Sequence, residues 1–318
     1  MFQSAHVWGA SGRPQAPVSY PDLSKELSGL GSLSQPQPQA PGNDTVPNPA
    51  SEPNNNVSTS TTTLHIFRHA EGLHNVAARG GGIPDPYLTT LGLTQCVQVQ
   101  RIFRQDIDII IASPMKRTIQ TALFCFGQAI RDGSKNIILV PDLQEVGRDP
   151  CNTGSPPNVL VEEFGNVIDA SRLGDSWYTE GSSTNNTDIL DRAVRARQAI
   201  ATIIDEYKAG KPNLGNINVA IVSHGRFIQY LTGDFVRYRT PTEAYAAMWR
   251  NTGTRSYRFV SDTDLRLKET DESSRARNNG QIVEGASEAE SKRSLELQTN
   301  FQGRRAQAQA SGSSIFDF

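Results

Sequence analysis

Thr62-Thr63-Leu64-His65-Ile66-Phe67-Arg68-His69-Ala70-Glu71-Gly72-Leu73-His74-Asn75 is the stretch that decides the fold class of this chain. Residues 62–67 are short, apolar and β-branched, which reads as a strand, and the small Ala70 and Gly72 let the chain turn toward a helix. An open α/β sheet carries its ligand chemistry at the carboxyl ends of its strands, where this order places Arg68 and His69. Far downstream the design recurs. Ile217-Asn218-Val219-Ala220-Ile221-Val222-Ser223 reads as a strand that delivers His224-Gly225. The protein has 5 histidines, and these two share one structural context.

A third strand tip completes the set. Ile107 to Ala112 reads as a buried strand, Ser113-Pro114 as a turn, and Met115 to Leu123 as the first turns of a helix with Ser113 as its N-cap. Arg117 then sits beside unpaired backbone donors, where guanidinium and amides together favour an anion. Arg68, Arg117, His69, His224 and Asn75 converge on one pocket rim in this reading, a constellation that suits a phosphoryl group. The remaining periodicity predicts helices from Leu91 to about Arg104, from Asp188 to about Lys208 with Ile189, Ala193, Ala196 and Ile200 on one face, and from Phe227. A last strand is expected over Arg255–Val260 at a sheet edge. Strands alternating with helices imply an α/β fold, a three-layer α/β/α sandwich with a mostly parallel central sheet. Between Gly147 and Asn186 a stretch rich in Gly, Asn, Ser and Pro, with Trp177 and Tyr178, is too long for a mere connection. It is expected to be a lid-like substrate loop.

With those motifs in order along the chain, the sequence resembles the histidine phosphatase (phosphoglycerate mutase-like) superfamily, and especially its fungal-type members. The resemblance rests on Arg68-His69 with Glu71 and Asn75, Asp85-Pro86 followed by Leu88-Thr89-Thr90-Leu91-Gly92, Ser113-Pro114 with Lys116-Arg117 and Thr121-Ala122, Leu143-Gln144-Glu145, and Ser223-His224-Gly225. It covers roughly residues 62 to 262. Two positions depart from it: Ala70 stands where many members have Gly, and Asn152 follows Cys151 where related sequences often carry Asp.

The resemblance implies a phosphoglycerate mutase-like fold and a cofactor-independent phosphomonoesterase. In it His69 attacks phosphorus, and Arg68, Asn75, Arg117, His224 and Gly225 hold the phosphoryl group. Glu145 follows the strand reading Ile137-Ile138-Leu139-Val140 and matches the family's proton donor, needed because an alkoxide leaves poorly. The nucleophile must be unprotonated. A guanidinium about 5 Å away disfavours imidazolium by roughly 3 kcal/mol at an effective dielectric near 20, so Arg68 and Arg117 are expected to keep His69 neutral. An intramolecular phosphomutase shares these residues and differs in excluding water. A phosphate-binding module without turnover would need neither nucleophile nor acid, and so fits least.

Rival readings of single residues are weaker. His65 and His69 have the spacing of zinc ligands on a helix but lie in a strand reading, so no metal site and no cofactor are expected. Cys125 and Arg131 match the Cys-x5-Arg spacing of cysteine-dependent phosphatases, yet Phe126 to Ile130 lacks glycine in the second half of such a loop, and Cys125 reads as core. His74 either lines the pocket or caps the first helix.

Composition bounds the rest. Half of the 18 prolines fall in the first sixty residues, beside clusters such as Gln35-Pro36-Gln37-Pro38-Gln39, and the end of the chain is rich in Glu, Ser, Arg and Asn. The organisation expected is therefore a disordered leader over 1–61, a catalytic domain over 62–262 and a disordered charged tail over 263–318. A net charge of -2 argues against a general nucleic-acid binder. The 3 cysteines give no disulfide framework, the N-terminus lacks a signal-peptide core, and no apolar stretch reaches membrane-spanning length. These features point to a cytoplasmic protein that binds no membrane and no nucleic acid, and the resemblance implies a small-molecule phosphate ester as its partner; oligomeric state is not legible. Asn43, Asn56 and Asn185 lie in glycosylation-type triplets that arise by chance in Asn/Thr-rich sequence.

Overall fold

A computed structural model describes residues 7–8, 14–15, 61–131, 135–180, 184–211, 214–237 and 248–277. The chain divides into two compact units, Met1–Thr59 and Ser60–Phe318. In the first, the described residues are a two-residue antiparallel pair, Val7–Trp8 against Pro14–Gln15. The rest of the expected leader, and the expected tail beyond Arg277, lie outside the described residues.

The second unit is built on seven strands among the described residues: β1 Thr62–Arg68, β2 Ile109–Ala112, β3 Ile137–Leu139, β4 Ile168–Asp169, β5 Ile217–Ser223, β6 Thr254–Phe259 and β7 Leu267–Glu269. They form one sheet in the order β4-β3-β2-β5-β1-β6-β7. The first five are parallel and the last two add antiparallel. The chain leaves β1, crosses to β2, builds outward to β4, and returns to insert β5 between β1 and β2. The reversal of winding thus falls beside β5, where an open α/β sheet binds its ligand.

Alternation along the strands separates two cores. Leu64, Ile66, Ile109, Ile111, Val219 and Ile221 face one side, where they meet α7 (Asn186–Lys208) and α8 (Gly225–Leu231). Phe67, Ile110, Ala112, Ala220 and Val222 face the other, against α2 (Thr90–Ile102) and α3 (Lys116–Cys125). Helices on both faces give the three layers. Helix α7 buries Ile189, Ala193, Ala196, Ile200, Ile203 and Ile204 at the three- and four-residue spacing of a helical stripe. Asn185 caps it by accepting from Thr187 N at 3.0 Å. Helix α2 is capped by Thr89 Oγ1, which accepts from Gly92 N at 3.0 Å. At Gly92 a Cβ would lie 2.2 Å from the Glu71 carbonyl oxygen, so only glycine admits the strand-to-helix turn that carries His69.

Three expectations are corrected by the coordinates. Helix α3 begins at Lys116 with Met115 at its N-cap, because Ser113 turns its hydroxyl toward His224 instead. Ordered structure continues past residue 262: β7 pairs with β6, and α9 (Asp271–Arg277) follows, with Ser273 Oγ accepting from Ser256 N at 3.0 Å. The segment between Gly147 and Asn186 is no open loop. It contains α5 (Pro157–Phe164), the edge strand β4 and α6 (Trp177–Glu180), and Trp177 is buried over Gly154, where a Cβ would lie 2.1 Å from the indole. Its turns are polar in composition, yet buried polar contacts pin them. Ser155 donates to Asp85 Oδ2 at 2.7 Å, and Lys116 Nζ lies 2.7 Å from Glu163.

Candidate active site

Register along the parallel strands sets the site. Arg68 pairs with Ser223, and Ala112 with both Val222 and Leu139, so the next residues of all four chains emerge side by side. His69 N donates to Ser223 O at 2.9 Å, and Ser113 N to Val222 O at 3.0 Å. His69, His224, Ser113 and, after the turn Pro141–Leu143, Glu145 therefore line the carboxyl edge of β1, β5, β2 and β3. The imidazoles of His69 and His224 lie 5.2 Å apart between centroids. The ring of His74 stands 5.3 Å from that of His69, which places it in the pocket, with Nε2 on Asn75 Nδ2 at 3.2 Å.

Hydrogen bonds assign protons to the two central rings. His69 Nδ1 donates to the Ala70 carbonyl at 2.7 Å, which leaves the lone pair on Nε2. His224 Nε2 lies 2.8 Å from Ser113 Oγ. Ser113 is fully buried, and its hydroxyl has His224 as its partner among the described residues, so its proton goes to Nε2. Nδ1 of His224 then carries a hydrogen, and this buried donor finds no protein acceptor among the described residues. One ring presents a lone pair and the other a proton.

The two arginines come from opposite sides. Arg117, 0% exposed at the second position of α3, donates to Cys151 O at 2.7 Å and to Asn152 Oδ1 at 3.4 Å, while its Nε has no protein partner among the described residues. The departure Asp to Asn at residue 152 thus leaves an acceptor on the guanidinium. Backbone donors at the start of α3 are less open than the sequence implied, since Asp85 Oδ1 accepts from Lys116 N at 2.9 Å. Arg68 donates to the Trp249 carbonyl. Gly225 is what lets it lie there: a Cβ would stand 3.1 Å from Arg68 Nε and 3.1 Å from Met248 Sδ.

Backbone N–H groups orient the carboxyl of Glu145. Oε1 receives Val146 N and Phe227 N, each at 2.9 Å, and Oε2 receives Arg226 N at 3.3 Å. Asn75 stays at the exposed rim, with Oδ1 accepting from Gly72 N at 3.0 Å, and reaches the centre only through His74. His65 points elsewhere, between Ser256 and Asn218. Cys125 is buried core and its thiol pKa is pushed well up, first through the hydrogen bond with Cys96 and then by burial. Groups of His, Cys, Asp and Glu able to hold a metal ion are absent among the described residues.

Sequence reasoning missed a bracket around His69. Asn251 Nδ2 donates to His69 O at 3.0 Å, and Thr252 N to Arg68 O at 3.1 Å. Thr121 Oγ1 accepts from Ala70 N at 3.0 Å. Among the described residues, the non-glycine positions at positive φ are Asp85 (38°) and Thr252 (58°), and both contact this machinery. No spacing signal marks residues 249–253; they are brought back by the downstream strand β6, which lies between β1 and β7 and not at the sheet edge expected for it.

Electrostatics keeps the imidazoles neutral. Burial is the main cause of the low His69 pKa, followed by Arg117 and then Arg68, so dehydration outweighs the guanidinium effect that the sequence suggested. His224 is lowered well below the ordinary histidine range by burial, then by Arg117. His74 is brought down to about 3 by burial and the same two arginines. In the unfolded chain these groups titrate near ~6.5. Below that pH the unfolded state takes up protons that the native state refuses, so stability is full above ~6.5 and falls as pH drops toward the native values. For His69, His224 and His74 together, stability from denaturant titrations in phosphate-free buffer should fall by about 3–4 kcal/mol between about pH 7 and pH 5.5. Asp85, raised by burial, acts in the opposite sense and is common to wild type and variant. His224→Asn should therefore remove about a third of the loss, and an unchanged pH slope contradicts burial of the neutral ring.

The sequence pattern of the histidine phosphatase superfamily (branch 1) matches residues 64–271. The chain belongs to that superfamily. Among curated relatives, a phosphatase-named protein of Schizosaccharomyces pombe is 31% identical over 106 residues, 32% of this chain and 49% of the relative. A phosphoglycerate mutase-like protein of Arabidopsis thaliana is 38% identical over 115 residues, 31% of this chain and 42% of the relative. The chain spans about half the length, or less, of these curated relatives. An ecdysone phosphate phosphatase structure from Bombix mori is 16% identical with a TM-score of 0.48, covering 66% of this chain and 92% of its own.

Proposed function

We propose that this protein is a metal-independent phosphomonoesterase that passes the phosphoryl group of a small phosphate ester through His69. The observation that carries this reading is a neutral imidazole with its free lone pair at Nε2, set among buried donors that lack acceptors, Arg117 Nε and His224 Nδ1. Orphan buried donors each cost about 1–3 kcal/mol, and a bound phosphoryl group repays them by supplying acceptor oxygens.

In the first step Nε2 of His69 attacks phosphorus in line with the ester oxygen. The nitrogen–phosphorus bond forms as the phosphorus–oxygen bond breaks, and Glu145 gives its proton to the leaving oxygen. Arg68, Arg117 and His224 donate to the three equatorial oxygens, where charge accumulates. In the second step the Glu145 carboxylate takes a proton from water, which attacks the phosphohistidine and releases inorganic phosphate. Asn75 steadies the rim through His74. The three buried thiols suit a reducing compartment, and the cytoplasm is where this reading places the protein. Among the described residues, no helix is long and apolar enough to cross a membrane.

The experiment is a phosphate-release assay on a panel of phosphorylated metabolites in excess chelator, following a labelled phosphoryl group. Stoichiometric inorganic phosphate at undiminished rate is expected. Label moved to a second position of the substrate, with no phosphate released, replaces the phosphatase by a mutase; dependence on added divalent metal refutes the proposal.

A further inference from the structure

We propose that Arg192 is the positioning residue for Glu145, and that through it helix α7 sets the protonation of the leaving group. The inference rests on the acid role given to Glu145 above. Arg192 lies in α7, is 4% exposed, and takes no part in the phosphoryl pocket. Its guanidinium donates to three carbonyls of the turn that carries the acid: Asp142 O at 3.3 Å, Gln144 O, and Glu145 O at 3.3 Å. Its flat face sits 4.2 Å above the ring of Phe227. Phe227 is also the residue whose backbone N–H holds Glu145 Oε1. One cation thus grips the main chain of the acid from one side and braces the helix turn that holds its carboxylate from the other.

The physical reason for an arginine here is the number of donors. After Leu139 the chain has left the sheet, so strand pairing no longer fixes the path to Glu145. A Leu or Met would cover Phe227 without the cost of burying a charge. A lysine ammonium also has three N–H groups but gathers them on one atom, whereas the planar fork spreads Nη1 and Nη2 over three carbonyls and lays its face on Phe227. The 23-residue helix α7 is a rigid base for that fork, and a site built on such an element holds its geometry better than one carried by a free turn.

Leaving-group dependence separates positioning from mere support. A nitrophenolate departs without a proton, whereas an alkoxide needs one. Misplacing an acid by ~1 Å costs on the order of 100-fold. In Arg192→Met, kcat/KM for an alkyl phosphate such as glycerol phosphate should fall about 100-fold, and that for p-nitrophenyl phosphate less than about 3-fold. Arg192→Lys, which keeps charge but loses the fork, should fall about 10-fold on the alkyl ester alone, and it decides the matter if the Met variant does not fold. Glu145→Gln serves as the reference and should show the same selective loss. Equal loss on both esters in the Arg192 variants, or no loss on the alkyl ester, overturns the positioning role while leaving the acid in place. Equal loss on both esters in Glu145→Gln removes the acid assignment, and this inference with it.

Discussion

Substituting His69 by Asn or Ala should abolish turnover, with kcat at least ~10⁴-fold lower on every phosphate ester. The residue has three protein anchors that hold it without substrate: its ring Nδ1 on Ala70 O, its backbone N on Ser223 O and its carbonyl under Asn251 Nδ2. Loss of the imidazole therefore removes the lone pair and leaves the frame that Ser223, Thr121 and Asn251 make. Rapid denaturing quench of wild type in base with a labelled substrate should trap one phosphoryl group per chain that is stable in alkali and lost in acid, and the His69→Asn protein none. Labelling that survives in His69→Asn means another side chain is the nucleophile. Melting curves distinguish this from misfolding, since the variant should keep a cooperative transition.

Arg117→Met carries the second large effect, about 10³-fold in kcat/KM, because its guanidinium supplies more than one donor to the charge that grows on phosphorus. Burial of this cation is costly, and its protein partners are neutral acceptors, Cys151 O and Asn152 Oδ1. Replacement by an apolar chain of similar length should accordingly leave stability within about 1 kcal/mol of wild type while activity collapses. Arg117→Lys should not rescue, since an ammonium cannot reach Cys151 O and a phosphoryl group at once. Arg117 is also the largest charge effect on both His69 and His224 after burial. In Arg117→Met, which removes that charge, the acid limb of the kcat/KM profile should move to higher pH, whereas Arg117→Lys keeps it. Arg117→Lys activity above a tenth of wild type rules out the bidentate role.

Much of the site was legible because its signals are local. The strand over 62–68 followed by His69, and the strand over 217–223 followed by His224, are short apolar, β-branched runs ending in a turn, and the coordinates place both rings on one edge. The long helix α7 was readable from a repeat that spans its own length. Segments whose order depends on distant partners were not. The stretch from Gly147 to Asn186 looked like a loop because its Gly, Asn, Ser and Pro residues have low propensity for regular structure. What orders it is tertiary: Ser155 on Asp85, Glu163 on Lys116, Cys151 on Arg117. Likewise β7 and α9 carry few large apolar residues, and pairing with β6 rather than burial defines them.

The sequence by itself determined which side chains stand at strand ends and in what order, since a strand, a turn and a helix start are written within a dozen residues. Tertiary structure decided how those side chains are protonated and held. Ser113 and His224 are 111 residues apart, Asn251 and His69 are 182 apart, and Arg192 reaches Glu145 across 47. The first contact exists because β5 inserts beside β2, the second because β6 returns to pair with β1, and the third because α7 packs on the turn after β3; pairing at that range leaves no periodic trace in the chain.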